Sequence, residues 1–256
     1  MILYNAPSSY YSMIARFALL EANISFDSRA MDIHIAKEQL STWYMNINPH
    51  MTVPTLVDGD LILVDSGDIL RLAASIAGAK WLDADLHANE SIKNVVKNFY
   101  LIPIEHLTFA KAMIKFPPLH FLFPKLLANI VRNLRSQVVS AKDSAAILAK
   151  ISLNESRINY FTQGNLLDKL NIERQKVSGF LSSLPKPKNM LFGDKPSSAD
   201  IVVGILLARL KMIGEYDLVE PYPQLNAWFL RMQQRESFQK ADIWQRFQIL
   251  RILLKR

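Results

Sequence analysis

Asn48-Pro49-His50-Met51-Thr52-Val53-Pro54-Thr55-Leu56-Val57-Asp58-Gly59-Asp60-Leu61-Ile62-Leu63-Val64-Asp65-Ser66 is the stretch whose reading decides the fold. It reads as a loop, a strand, a two-residue hairpin, a second strand and then a helix that opens on a Ser. Asp58-Gly59-Asp60 supplies the turn, since Gly takes the left-handed backbone that a tight hairpin needs. Pro54 stands at the mouth of the first strand, where it forfeits a ladder hydrogen bond. A proline there marks a cis bond or an edge device. Such a geometry presents backbone, and the N–H and C=O of Val53 are expected to pair with an extended, peptide-like ligand. The helix near Ser66 adds unpaired N–H groups and a positive dipole end for that ligand's carboxylate.

Outward from this stretch, residues 1–5 read as a strand and 10–22 as an amphipathic helix carrying Ile14, Phe17 and Ala18, ended by Asn23. Residues 24–31 read as a second strand, 37–44 as a short helix, 53–57 and 61–64 as the hairpin, and 66–77 as a helix closed by Gly78. The order βαβαββα is the thioredoxin-like arrangement. Beyond Asp83-Ala84-Asp85 the helical period dominates, with proline breaks at 117–118, 124, 185–187 and 221–223. The expectation is an α+β chain of two domains, a thioredoxin-like domain over 1–80 and an all-α helical bundle over 90–256.

Several segments carry a family resemblance. Ile2-Leu3-Tyr4-Asn5, Ser8-Ser9-Tyr10-Tyr11-Ser12-Met13 and Arg16-Phe17-Ala18-Leu19 resemble the first strand, catalytic loop and first helix of the glutathione transferase superfamily. The Val-Pro-Thr-Leu segment with Asp65-Ser66 resembles its thioredoxin-like domain. Gly193-Asp194-Lys195-Pro196-Ser197-Ser198-Ala199-Asp200-Ile201 resembles the capping-box segment of its helical domain. Within the superfamily, Leu206-Leu207-Ala208-Arg209-Leu210 and Arg231-Met232 look most like the zeta-type and dehalogenase-like members. The likeness spans residues 1–80 and 190–242.

The resemblance implies glutathione as co-substrate, a small hydrophobic electrophile as the second substrate, no metal, and a homodimer. It carries Val53 and Pro54 over to the cysteinyl backbone of glutathione, and Asp65 and Ser66 to its γ-glutamyl end. Two departures stand out. Met51-Thr52 occupy the place where zeta-type proteins have Lys-Gln, and His50 is near enough in sequence to substitute for the missing cation. Tyr11 stands where dehalogenase-like relatives carry a nucleophilic Cys.

For the catalytic hydroxyl, Ser9 is the choice, at the start of the first helix where N–H groups and the dipole favour an anion. A glutathione thiol has a pKa of ~8.5, and lowering it by about two units asks for about 2.7 kcal/mol of preference for the thiolate. One hydroxyl hydrogen bond and a helix terminus supply that. Ser is also a preferred N-cap regardless of activity. Ser8 is the one-residue register alternative, followed by Tyr11 and Tyr10. Tyr100, His106, Phe109 and Met113 share a rough helical face that could line the acceptor pocket or form core.

The chain has 256 residues, half of them apolar, and a net charge of +7. Residues 1–80 hold five Lys or Arg against eight Asp or Glu, so the remainder carries 25 against 15, or −3 followed by +10. This asymmetry reads as a solvated basic face, with no nucleic-acid motif. The absence of Cys removes disulfides, thiolate metal sites and protein-thiol mechanisms. His spacing suits no metal, and no Gly-rich phosphate loop occurs. No basic leader opens the chain, so a cytoplasmic protein is expected. No uncharged run reaches the ~18 residues of a membrane span, the nearest being 116–131, interrupted by three prolines and Lys125. Residues 241–256 place Ile243, Trp244, Phe247, Leu250 and Leu254 on one helical face. That tail is expected to pack back over the helical domain, the alternative being peripheral contact with an anionic membrane. A glutathione-dependent transferase or isomerase is the leading function. A non-catalytic, transferase-like regulatory or binding protein is the alternative.

Overall fold

A computed structural model describes residues 1–138, 144–248 and 250–251. A small mixed sheet comes first, and helices follow. Strands β1 (Ile2–Asn5), β2 (Asp27–Ala30), β3 (Thr55–Asp58) and β4 (Leu61–Leu63) lie in the order β2-β1-β3-β4. β1 and β2 are parallel, joined by helix α1 (Tyr10–Glu21), while β3 runs antiparallel to both β1 and β4. Leu3 pairs with Leu56 in register. Their side chains share a core with Ala15 and Leu19 of α1 and Ile69 of α3 (Ser66–Ala77). The remaining helices are α2 (Thr42–Met45), α4 (Leu86–Tyr100), α5 (Ile104–Lys115), α6 (Leu119–Gln137), α7 (Ser144–Thr162), α8 (Leu166–Ser183), α9 (Ser198–Ile213), α10 (Pro223–Met232) and α11 (Glu236–Lys240).

Helix ends follow local chemistry. At the end of α1, Asn23 takes φ 57°, and the N–H groups of Asn23 and Ile24 donate to the carbonyls of Leu20 and Leu19. That is a Schellman closure with Asn at its left-handed position. α9 begins with the full capping box. Ser197 accepts from the Asp200 N–H, and Asp200 accepts from the Ser197 N–H. α9 ends on Gly214 at φ 77°.

Four expectations need correcting. The second strand shrinks to β2, because Ile24 and Phe26 pack against the sheet core before pairing begins. The short helix at 37–44 is split into a 3₁₀ turn, Glu38–Leu40, and α2, because Ser41 between them is extended at ψ 148°. Pro124 does not break a helix; it lies inside α6. It sits in the second turn, where it forfeits a single ladder bond. The tail is not helical over 241–248, although Trp244 is buried at 2 % exposure. Leu254 lies outside the described residues.

By packing, the chain divides into two compact units. One contains residues 1–39, 52–102 and 177–256; the other contains 40–51 and 103–176. In the second unit, Met51, Val131, Leu134, Ile147 and Ile151 form the core, with Leu40 and Met45 against them.

Candidate active site

The loop between β1 and α1 is built by two buried arginines. Arg16, on the inner face of α1, donates to Asn5 Oδ1 at 2.8 Å and to the carbonyls of Ala6 and Pro7 at 3.2 Å each. It also reaches the carbonyls of Ala241 at 2.7 Å and Asp242 at 3.1 Å. Arg209 of α9 donates to the Ser8 carbonyl at 3.1 Å. Carbonyls of three successive loop residues are thus held by guanidinium groups, whose planar forks serve several acceptors at once. Burial lowers Arg16 to about 10, and it stays charged at neutral pH.

Ser9 is the N-cap of α1, half-buried, and its Oγ accepts from the Ser12 N–H at 3.3 Å. A hydroxyl that accepts through its oxygen keeps its own proton to donate. Ser8 Oγ lies 2.7 Å from His34 Nε2. Asp32 Oδ1 holds that neighbouring turn by accepting the N–H groups of His34 and Ile35. Desolvation lowers the His34 pKa, against the pull of Asp32. Pro7, Ser8, His34, Trp244 and Arg251 line part of a cavity of about 380 Å³.

The two tyrosines part company. Tyr10 is buried, stacked on Phe99 with centroids 5.6 Å apart and lying under Arg209. Burial raises its hydroxyl well above the usual value, which suits a core residue. Tyr11 is half-buried and stacks on Tyr100 with centroids 6.4 Å apart. The Tyr100 hydroxyl lies 3.0 Å from Ser66 Oγ, so the starts of α1 and α3 are linked through one α4 side chain.

The Val53–Pro54 bond is cis. Tyr4 pairs with Thr55, and continuing that antiparallel register by two residues sets Val53 across from Ala6, where the Ser8–Ser9 loop begins. No hydrogen bond to the N–H or C=O of Val53 occurs among the described residues. Asp65 caps α3, accepting the Gly67 N–H at 2.7 Å, and Ser66 is buried at its first turn. A Cβ at Gly67 would stand 2.9 Å from Asp65 Oδ1, so a side chain there would displace the capping carboxylate.

His50 belongs to the second unit, exposed, with its N–H on Asn48 Oδ1 at 2.9 Å. In that unit Lys150 of α7 reaches the same loop, its Nζ lying 3.0 Å from the Met51 carbonyl. Burial lowers Lys150 to about 8, aided by Arg157.

The face proposed from Tyr100 through Met113 is interrupted, since α4 ends at Tyr100 and α5 starts only at Ile104. Met113 is core, Phe109 stacks on Phe123, and His106 stacks on Tyr160 with centroids 3.8 Å apart. Among the described residues, no group of three or more His, Asp or Glu side chains could hold a metal. The places of His34 and Arg209 at the Ser8 loop were not legible in the sequence, because each acts on a residue remote in the chain.

Comparison with known proteins follows the same outline. The family model for the glutathione S-transferase N-terminal domain matches residues 3–81, and that for the C-terminal domain matches 176–231. The tetrachloro-p-hydroquinone reductive dehalogenase of Sphingobium chlorophenolicum is 28 % identical over 250 residues, covering 94 % of this chain and 95 % of that protein. A stringent starvation protein A homologue of Coxiella burnetii is 37 % identical over 71 residues, 28 % of this chain and 32 % of its own length. The holo structure of maleyl pyruvate isomerase, a bacterial zeta-class glutathione S-transferase, superposes with a TM-score of 0.57 at 20 % identity. It covers 94 % of this chain and 96 % of that one, a likeness of fold.

Proposed function

This chain belongs to the glutathione S-transferase superfamily, and we propose that it is a glutathione-dependent transferase or isomerase that activates the glutathione thiol for attack on a small electrophile. One observation carries the reading. The peptide groups of Val53 have no partner among the described residues, at a strand end whose register leads to the Ser8–Ser9 loop. An extended ligand adding itself to that edge brings its cysteinyl sulfur to the start of α1, with Asp65 and Ser66 receiving the γ-glutamyl end. Ser9 then donates a hydrogen bond from its hydroxyl to the thiolate, while the N-terminus of α1 adds its dipole.

The attack forms a carbon–sulfur bond, the sulfur supplying the electron pair and the acceptor's leaving group or π-bond taking it up. Glutathione is the co-substrate, and the helical second domain, over 90–256, selects a hydrophobic electrophile. A mechanism that resolves a glutathione mixed disulfide through a protein thiol is closed to this chain, which has no Cys and carries Tyr11 at the relevant place. The working unit is a cytoplasmic homodimer. Calorimetric titration with glutathione, together with the ultraviolet absorbance of the bound thiolate against pH, tests the proposal. Absence of binding at millimolar glutathione would end it.

The second reading is a regulatory or binding module that keeps the fold. The short match to stringent starvation protein A homologues and the +10 charge beyond residue 80 favour it. Val53→Glu blocks the glutathione edge. A partner captured from extract by the wild type and equally by this variant would support the module, whereas loss in the variant alone would count against pure scaffolding.

A further inference from the structure

Residues 116–131, the nearest approach to a spanning run in the sequence, begin at the corner between α5 and α6 of the second unit. Pro117 and Pro118 turn the chain there, and the N–H groups of Leu119 and His120 donate to the carbonyls of Phe116 and Pro117. One side of α6 is buried through Leu127, Val131 and Leu134. The opposite side of its first turns holds Phe121, Leu122 and Leu126, which are 69, 56 and 39 % exposed. At the end of α5, Ile114 and Phe116 are 40 and 55 % exposed. Single exposed apolar residues are ordinary on a protein surface; five large ones on one corner mark a contact site. Charge along this segment has one sign. Between Glu105 and Asp143 the sequence has six Lys or Arg and no acidic residue, and Lys115 and Lys125 are exposed among the apolar side chains.

We infer that this corner is a peripheral docking surface for an anionic lipid bilayer. Phe116, Phe121 and Leu122 enter the boundary between headgroups and acyl chains, and Lys115 and Lys125 meet the lipid phosphates. Charge complementarity selects the occupant, since exposed lysines set among exposed aromatics match an anionic interface. Lysine stems lie along apolar surface while their ammonium groups stay in water, which suits a shallow insertion. Extent agrees with depth: beyond the first turns the outer face of α6 becomes Asn129, Arg132 and Asn133, all exposed. A helix–helix seam would need an apolar stripe along the whole helix. The contact is peripheral, since no helix among the described residues is long and apolar enough to cross a membrane. It is independent of the glutathione site.

Co-sedimentation of the full chain with phosphatidylcholine vesicles, with and without phosphatidylserine, tests the inference. Binding is expected to the phosphatidylserine vesicles and to weaken with salt. Each basic residue near an anionic surface contributes about fivefold, so Lys115→Glu with Lys125→Glu should lower partitioning at least about tenfold. Phe121→Ser with Leu122→Ser should lower it at either salt concentration while glutathione binding and melting temperature hold. Equal binding to both vesicle types, binding to neither, or variants that match the wild type would overturn the proposal. So would a dimer that falls to monomer in the Phe121→Ser, Leu122→Ser protein with no vesicle binding by the wild type, which would make the corner a contact between copies. If the apolar variant does not fold, the lysine pair decides.

Discussion

Ser9 Oγ is already engaged as an acceptor from the Ser12 N–H, so what it has to offer a thiolate is its proton. Ser9→Ala should therefore raise the pKa of bound glutathione and reduce turnover by ~10- to 1000-fold, with affinity for glutathione within a few-fold, because the lost bond acts on charge at sulfur. The same change removes a cap at a cost of about 1 kcal/mol, which a melting curve measures separately. Tyr11→Phe should do much less. Thiolate titrations of the two variants decide between them; a normal titration in Ser9→Ala with a lost one in Tyr11→Phe would move the role to Tyr11. Arg16 permits a second prediction. Arg16→Lys leaves three donors on one nitrogen for five acceptors now satisfied by a planar fork. A loss of about 2–4 kcal/mol is expected in urea unfolding, since buried carbonyls are left unpaired. An unchanged midpoint would refute the view of Arg16 as the clasp of this loop.

The start of α9 shows how much of an element is local. Ser197-Ser198-Ala199-Asp200 before an apolar run announces a capping box, and the box forms. What local pattern does not convey is that Asp200 is wholly buried and also accepts the Leu191 N–H at 2.9 Å. Burial raises its carboxyl to about 6 despite the hydrogen bonds from Ser197 and Leu191. Because the folded value lies above the unfolded one of ~3.9, folding is favoured by the protonated form. That contribution is whole below about pH 4 and is lost as the pH rises through about 6. Asp200→Asn cannot titrate and turns an amide N–H₂ toward N–H donors, so a loss of about 1–3 kcal/mol is expected at neutral pH. The gap to wild type should narrow between about pH 4 and pH 7. Parallel stability–pH curves would refute the assignment. Elements with less local support moved more. The 37–44 helix breaks because Ser41 is extended, and the tail helix is absent over 241–248, where the backbone N–H of Trp244 instead donates to Met13 Sδ at 3.3 Å.

For the assembled protein, the charges of −3 over residues 1–80 and +10 beyond lead to a prediction of a two-fold homodimer with the first domain of one subunit against the second domain of the other. Sedimentation equilibrium should give twice the chain mass, with dissociation promoted by salt. A monomer mass at every concentration would overturn it. The sheet, its hairpin and the caps of α1, α3 and α9 were legible along the chain, because a turn, a cap or an alternating strand is set by residues within a few positions of one another. Val53-Pro54 and Asp65-Ser66 could be picked out for the same reason. Other features were decided only on folding. Ser8 meets His34 across 26 positions, Ser66 meets Tyr100 across 34, the Ser8 carbonyl meets Arg209 across 201, and Arg16 meets the Ala241 carbonyl across 225. Such pairings depend on which faces of helices and strands come to share a core. No local pattern of residue types encodes that, since Arg16 and Tyr10 would read the same on a solvated face as they do buried here.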